Sequence, residues 1–253
     1  MRTFWLLSSI VIAYAIIPIM VLFVNVSPKA FEETLSNDYL RSALIEAIKT
    51  TLLASGVSVL ILIIFGTPLA YMLARSRSKI LDVIQWFVDL PMALPHSVVG
   101  IALLLAFQSA PISSLLREIG IKVVDSLYGT IAVMTFVGLP FYVNGLKNGI
   151  EDVPETLEMV ARSLGASPYQ TFFKIVLPLI KRSLIIASLL AWARGISEIG
   201  ALLILAYNPM TLSVLVYEWY KTLGLKYSVV ASVILASIAI ILFSLLQRLK
   251  GSE

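Results

Sequence analysis

Six apolar runs are the feature of this sequence that most constrains its fold. Each is about as long as the roughly 20 residues that a helix needs to cross the hydrocarbon of a bilayer. Backbone polar groups in lipid must be satisfied within the segment itself, and a helix does this. The sequence therefore predicts an all-α integral membrane protein, with residues 1–253 as a single domain of six transmembrane helices. The predicted spans are residues 4–24, 51–73, 83–107, 127–146, 183–206 and 228–246.

The composition supports this prediction and excludes several classes of protein. Hydrophobic residues make up 59% of the chain and charged residues only 13%, proportions far from those of soluble domains. The chain has no cysteine and one histidine, so a disulfide scaffold, a thiol nucleophile and a Cys/His metal cluster are not expected. The net charge of +4 is spread over several loops, so nucleic acid is not expected as a partner.

The distribution of lysine and arginine predicts which loops face the cytoplasm. If the amino terminus lies inside, the inner segments carry eleven of these cations and the outer segments seven, and topology follows such a bias. The loop after the second span carries Arg75, Arg77 and Lys79 without an acid. Both termini and the polar segment 147–182 are therefore predicted to be cytoplasmic. The first run exceeds the ~7–15 residues of a signal core, which predicts a retained anchor.

The segment 147–182 carries two helix starts in succession. Each has the spacing of a capping box and a proline near its first turn. Gly165 lies between them and can supply the left-handed residue that ends a helix. The segment therefore predicts a compact helix–turn–helix. The capping boxes are Asp152 with Glu155 and Ser167 with Gln170, and the prolines are Pro154 and Pro168.

This segment resembles the cytoplasmic loop of ABC-importer permeases that is named for its Glu-Ala-Ala motif. In that family the loop forms a coupling helix that docks into a cleft on the ATP-hydrolysing subunit. The two positions before Ala161 hold methionine and valine instead of glutamate and alanine, and Glu158 stands one place earlier. The resemblance rests on the spacing of Ala161, Gly165, Ile175, Leu177 and Pro178. The residues to which it assigns ATPase coupling are Glu158, Ala161, Leu164, Gly165, Ser167, Pro168 and Tyr169.

The third predicted span contains residues that interrupt helices. Pro91 and Pro95 each remove a backbone donor, and we expect them to break the helix twice. Irregular backbone at membrane depth is tolerated only where it is buried in protein or lines a cavity. His96, the only histidine, is expected to be a hydrogen-bonded packing or gate residue. Gly100 would let another helix or a solute approach closely.

The fifth predicted span carries Arg194 and Glu198 one helical turn apart, so their side chains can pair. A charge near the bilayer centre costs at least about 2.5–3.5 kcal/mol and usually faces a packed or wet interior. Two roles stay open for Arg194. We favour a structural role, in which Glu198, alone or with Asp89, neutralises Arg194 and joins the third and fifth spans. The alternative places Arg194 beside an anion path.

Segments 89–102 and 192–201 resemble the corresponding spans of permeases for tetrahedral oxyanions, most closely those of archaeal-type molybdate and tungstate transporters. With the loop, the resemblance covers roughly residues 50–210. The residues assigned on this basis to the translocation path or gate are Pro91, Pro95, His96, Gly100, Arg194, Glu198 and Gly200.

The resemblance implies a type I ABC-importer permease in the cell membrane that works by alternating access. The sequence has no Gly-x4-Gly-Lys-Ser/Thr loop to bind ATP phosphates. The chain is therefore not expected to be an enzyme or to carry a cofactor, and ATP hydrolysis is expected on a partner. The expected partners are two ABC ATPase subunits and an extracytoplasmic oxyanion-binding protein. Six spans without a duplicated half also favour a homodimer with the path on its axis.

Three alternatives remain at this point. The nearest is a permease for sulfate or another tetrahedral oxyanion. An intramembrane hydrolase that uses His96 with a serine would be active as this chain alone. A channel would pass anions without ATP. Neither of the last two needs a coupling loop, which is why both are less favoured.

Overall fold

A computed structural model describes residues 1–250 of the chain. Within that range all the regular structure is helical. Two of the described helices each contain a π-helical turn, at Leu62–Gly66 and at Phe172–Val176. The thirteen helices of the described residues are α1 Arg2–Val24, α2 Pro28–Ser36, α3 Asp38–Arg75, α4 Lys79–Ala93, α5 His96–Gln108, α6 Ala110–Glu118, α7 Leu127–Glu151, α8 Glu155–Ser163, α9 Pro168–Leu179, α10 Lys181–Ile196, α11 Leu202–Leu205, α12 Leu212–Thr222 and α13 Leu225–Lys250.

Helices long and apolar enough to cross a membrane account for most of the predicted spans. Four such helices lie in the described residues. Two pairs of consecutive helices also pass the same test when each pair is taken together: α5 with α6, bent by 67°, and α9 with α10, bent by 74°. α3 begins at Asp38, well before residue 51, because the Asn37 side chain accepts hydrogen bonds from the first backbone N–H groups of the helix. The four helices contain the stretches Leu7–Val24, Asp38–Arg75, Leu127–Glu151 and Leu225–Leu249.

The third predicted span is interrupted once, not twice. Pro91 lies inside α4 without ending it, whereas α4 ends at Ala93 and α5 begins at His96. Leu94 between them is extended, with φ −82° and ψ 138°, because a residue that precedes a proline avoids the helical region. The expectation of a break at Pro91 was therefore wrong, and the break at Pro95 is confirmed.

The fifth predicted span also differs from the sequence prediction of one helix. α10 ends at Ile196, and α11 begins only at Leu202. The carboxylate of Glu198 accepts a hydrogen bond of 2.9 Å from the backbone N–H of Ala201. This side-chain acceptor replaces a helical carbonyl and stabilises the interruption.

The core is built around α7, which packs against α3 and α10. Small residues on α7 allow α10 to approach closely. A Cβ atom added at Gly145 would lie 3.2 Å from the Cβ of Ala187, and one added at Gly149 would lie 2.2 Å from the Cβ of Ser183. The α7–α10 contact therefore depends on residues without bulk at these positions.

Polar contacts join two helices at the end of the bundle opposite α8 and α9. Glu33 on α2 accepts hydrogen bonds of 2.6 Å from the hydroxyl of Tyr227 and 3.0 Å from the ammonium of Lys226. These donors, Tyr227 first, lower the pKa of the Glu33 carboxyl below its ordinary value. They join α2 to the start of α13.

Gly149→Ala should destabilise the protein by about 1–3 kcal/mol, because an added Cβ overpacks the contact with Ser183. The melting temperature in detergent, measured by intrinsic fluorescence, should fall. Gly56→Ala is the matched control, since a Cβ there meets nothing within 4 Å, and it should leave the melting temperature unchanged or raise it. Equal melting temperatures for both variants would contradict this account of the core.

Candidate functional site

Residues 155–179 form a helix–turn–helix, composed of α8, a short turn and α9. The turn contains the expected left-handed residue, Gly165, with φ +89°. The N–H groups of Gly165 and Ala166 donate to the carbonyls of Arg162 and Ala161, both at 3.0 Å, which closes the end of α8. The predicted helix stop at Gly165 is confirmed.

The two predicted capping boxes have different outcomes. Ser167 and Gln170 form both reciprocal bonds, at 3.2 and 2.9 Å, and cap the start of α9. Asp152 does not cap α8, so that prediction was wrong. Asp152 instead ends α7, with its N–H bonded to the Asn148 carbonyl at 3.1 Å. The chain turns at Pro154 because the residue before a proline avoids the helical region.

The end of the helix–turn–helix presents apolar side chains to its surroundings. Leu164 is 83% exposed and Tyr169 72% exposed. A cavity of about 540 Å³ lies between α8 and α9 and is lined in part by Ala161, Leu164 and Gly165. Exposed apolar surface of this kind makes this end a candidate contact site. Ser167 and Pro168 begin α9 beside this surface, so six of the seven predicted coupling residues lie together.

Glu158, the seventh, points away from this surface. Its side chain is 6% exposed, and its Oε1 lies 2.7 Å from Nε of Arg75 at the end of α3. Its Oε2 accepts a hydrogen bond from the Tyr71 hydroxyl and lies 3.7 Å from Nη2 of Arg162. The sequence reasoning missed Arg75 and Tyr71. The position of Glu158 could have indicated such partners. It stands one place before the glutamate of the motif and is therefore on another face of α8.

A second candidate site is the polar cluster, which we define as His96, Arg194 and Glu198. Nη2 of Arg194 lies 2.7 Å from Oε2 of Glu198, so the predicted pair is formed. Nδ1 of His96 lies 2.9 Å from Nη2 of Arg194 and 3.1 Å from Oε2 of Glu198. The side chains of Glu198, Arg194 and His96 are 1%, 17% and 51% exposed. Burial therefore decreases from the carboxylate towards the imidazole.

Two glycines allow the segments of the polar cluster to meet. A Cβ atom on Gly200 would lie 2.6 Å from the Cβ of His96, and one on Gly100 would lie 2.9 Å from the Cα of Ala201. Both candidate glycines therefore serve close packing between α5 and residues 197–205 of the same chain. Pro95 is exposed directly before His96, whereas Pro91 is buried in α4.

Asp89 does not join Arg194, as one sequence hypothesis allowed. Its carboxylate accepts hydrogen bonds from the side-chain amides of Asn144, at 2.6 Å, and Gln85, at 3.0 Å. Lys147 donates to Gln85 at 3.2 Å. These contacts form a separate polar group between α4 and α7. Its members lie four or three residues apart on each helix, a spacing that could have signalled a shared face.

Glu198→Gln should lower the free energy of unfolding by about 3–5 kcal/mol, because it leaves Arg194 without its counter-charge in a largely buried place. A glutamine at this position has nearly the same shape, and its side-chain oxygen can still accept the hydrogen bond from the backbone N–H of Ala201. Glu118→Gln, at an exposed position, is the control. The melting temperature in detergent should be clearly lower for Glu198→Gln than for the control. A Glu198→Gln protein that melts like the control yet discriminates anions differently would place Arg194 on an anion path instead.

Comparison with known proteins identifies the family. Residues 66–249 match the family described as "Binding-protein-dependent transport system inner membrane component". The molybdate/tungstate transport system permease protein WtpB of Pyrococcus abyssi is 41% identical over 246 residues, which cover 97% of this chain and 93% of that protein. The protein of the same name from Methanocaldococcus jannaschii is 44% identical over 218 residues, 85% of this chain and 86% of that one.

A solved structure is similar over the whole chain. The crystal structure of a bacterial ABC transporter involved in the import of the acidic polysaccharide alginate matches with a TM-score of 0.66 and 19% identity, over 100% of this chain and 98% of that chain. This similarity confirms the predicted type I ABC-importer permease fold. The family match and the similar permeases make the chain a multi-pass membrane protein and a transport subunit, not an enzyme. It belongs to the family of binding-protein-dependent inner-membrane transport components, the permease subunits of ABC importers.

Proposed function

We propose that this chain is the permease subunit of an ATP-driven importer of molybdate or tungstate, which works by alternating access. The observation that carries the substrate proposal is its near full-length similarity to permeases named for these two oxyanions. Two copies of this chain, two ABC ATPase subunits and an extracytoplasmic oxyanion-binding protein would form the complete transporter.

The helix–turn–helix supports ATPase coupling. Its exposed end is apolar at Leu164 and Tyr169, and such a surface is stabilised when a partner covers it. The capping box at Ser167 and the closed end of α8 at Gly165 hold this end in one shape. A partner cleft can therefore engage it without first ordering it, which favours binding.

The outward face of α5 supports a homodimer. Val98, Ile101 and Leu105 on this helix are 44%, 50% and 64% exposed, which suits either lipid or a second copy. The His96 side chain at the start of the same helix is 51% exposed, and polar groups at membrane depth seldom face lipid. A second copy of the chain, with a wet passage between the two, accommodates both observations.

The charges of the polar cluster suit passage better than tight binding. Arg194 is already paired with Glu198 at 2.7 Å, so it offers little net field to a dianion. Transport requires that a solute also leave the path, and weak sites allow this. We therefore assign recognition of the oxyanion to the binding protein, and the opening of the path to the segments that carry the polar cluster.

Reconstitution tests this proposal. Vesicles that contain the chain with its ATPase and binding protein should accumulate tungstate only when ATP is present on the ATPase side. Competition by molybdate but not by sulfate is expected. Accumulation that sulfate alone competes away would favour a sulfate permease, and ATP-independent flux would favour a channel.

Gly165→Val should uncouple the transporter without unfolding it. The left-handed backbone costs other residues roughly 1–2 kcal/mol, which is small for a packed bundle, but the new side chain would protrude at the docking surface. We expect weaker recovery of the ATPase on purification, or ATP turnover without tungstate uptake. Gly120→Val is a matched control, because Gly120 also has a positive φ, of 73°, and open space around it. Uptake that is reduced equally in both variants would contradict a docking role for Gly165.

A further inference from the structure

We propose that the buried contact of Glu158 with Arg75 and Tyr71 is the joint through which the helix–turn–helix moves α3, and that α3 carries this movement to the polar cluster. The inference rests on the proposed function, since it assumes that an ATPase moves the helix–turn–helix. It assigns to Glu158 a positioning role inside the permease instead of a contact with the ATPase.

The geometry of the joint keeps Glu158 away from a docked partner. The side chains of Glu158 and Arg75 are 6% and 11% exposed and 2.7 Å apart. Arg75 also donates a hydrogen bond of 2.8 Å to the carbonyl of Val153, in the turn between α7 and α8. Charge-assisted hydrogen bonds of this kind are strong and directional. They fix the last turn of α3 to the start of α8.

A second contact attaches α9 to the same turn of α3. The rings of Tyr71 and Phe172 meet edge to face, with centroids 5.1 Å apart. Tyr71 thus bonds to Glu158 on α8 through its hydroxyl and packs on α9 through its ring. Because both helices of the helix–turn–helix hold one turn of α3, a displacement of the pair should displace α3 with it.

The other half of α3 is bonded to elements that lead to the polar cluster. The hydroxyl of Thr51 accepts a hydrogen bond of 2.8 Å from the backbone N–H of Leu212, at the start of α12. Ser213, the next residue, donates 2.5 Å to the backbone carbonyl of Glu198. Thr51 lies about 36 Å along the helix from Arg75, at 1.5 Å per residue. A continuous set of contacts therefore runs from the helix–turn–helix to the polar cluster.

A further bond joins the middle of α3 to the helix that bears Arg194. The indole N–H of Trp192 on α10 donates a hydrogen bond of 2.6 Å to the hydroxyl of Ser55. Trp192 precedes Arg194 by two residues. Movement of α3 thus reaches both α10, which carries Arg194, and the interruption that carries Glu198.

The test measures coupling in the reconstituted transporter with Glu158→Gln and with Arg75→Gln. Both variants should recover the ATPase normally and hydrolyse ATP, while tungstate uptake per ATP falls about tenfold, a size typical of coupling between sites. Glu155→Gln is the matched control, because Glu155 lies exposed on the same helix, and it should leave uptake per ATP unchanged.

Restoring the contact by cross-linking distinguishes a joint that transmits movement from a contact that only stabilises the fold. The chain has no native cysteine, so Arg75→Cys with Glu158→Cys can be cross-linked by a short bifunctional thiol reagent. Cross-linking should restore uptake per ATP without changing recovery of the ATPase. Normal coupling in Glu158→Gln, loss of ATPase recovery in that variant, or no rescue after complete cross-linking would each overturn the joint. If the unmodified chain shows no ATP-dependent uptake of either oxyanion, the proposed function itself fails.

Discussion

The structure depends on the ion pairs and hydrogen bonds of two buried carboxylates, because an unpaired charge inside a membrane protein is strongly unfavourable. The side chains of Glu158 and Glu198 are 6% and 1% exposed, and each lies within hydrogen-bonding distance of an arginine. Each also holds a helix end in place. Glu158 fixes the start of α8 to the end of α3, and Glu198 supports the interruption between α10 and α11. Both buried carboxylates thus lie where one helix ends and the chain changes direction.

In the proposed mechanism, movement begins at one of these two sites and ends at the other. The helix–turn–helix offers an apolar, pre-shaped surface to an ATPase, and the polar cluster lies beside exposed residues of α5 where a path between two copies would run. Between them α3 is one continuous helix, with a π-helical turn at Leu62–Gly66, that is hydrogen-bonded on both sides of this turn. Permeases of ABC importers use a partner's ATP, so a connection of this kind is what the proposed function requires.

Much of this could be predicted from the sequence, for identifiable physical reasons. Apolar length predicted the membrane helices, and the Ser167–Gln170 spacing with Gly165 predicted the turn, because these signals are local. The capping box at Asp152 failed because α7 continues to Glu151 and uses Asp152 as its end. The joint at Arg75 and the hydrogen bond from Arg194 to His96 join residues 83 and 98 positions apart. No local pattern encodes such contacts, and only the packing of the helices brings them together.

The proposed mechanism requires that the helix–turn–helix and the polar cluster move together. Pulsed electron paramagnetic resonance on the assembled transporter can measure this, with nitroxides at Met159 or at Ser97, both exposed, as separate single-label preparations. A non-hydrolysable ATP analogue should change the distance between the two copies at both positions, over the same range of nucleotide concentration. A change at Met159 with a constant distance at Ser97 would contradict it.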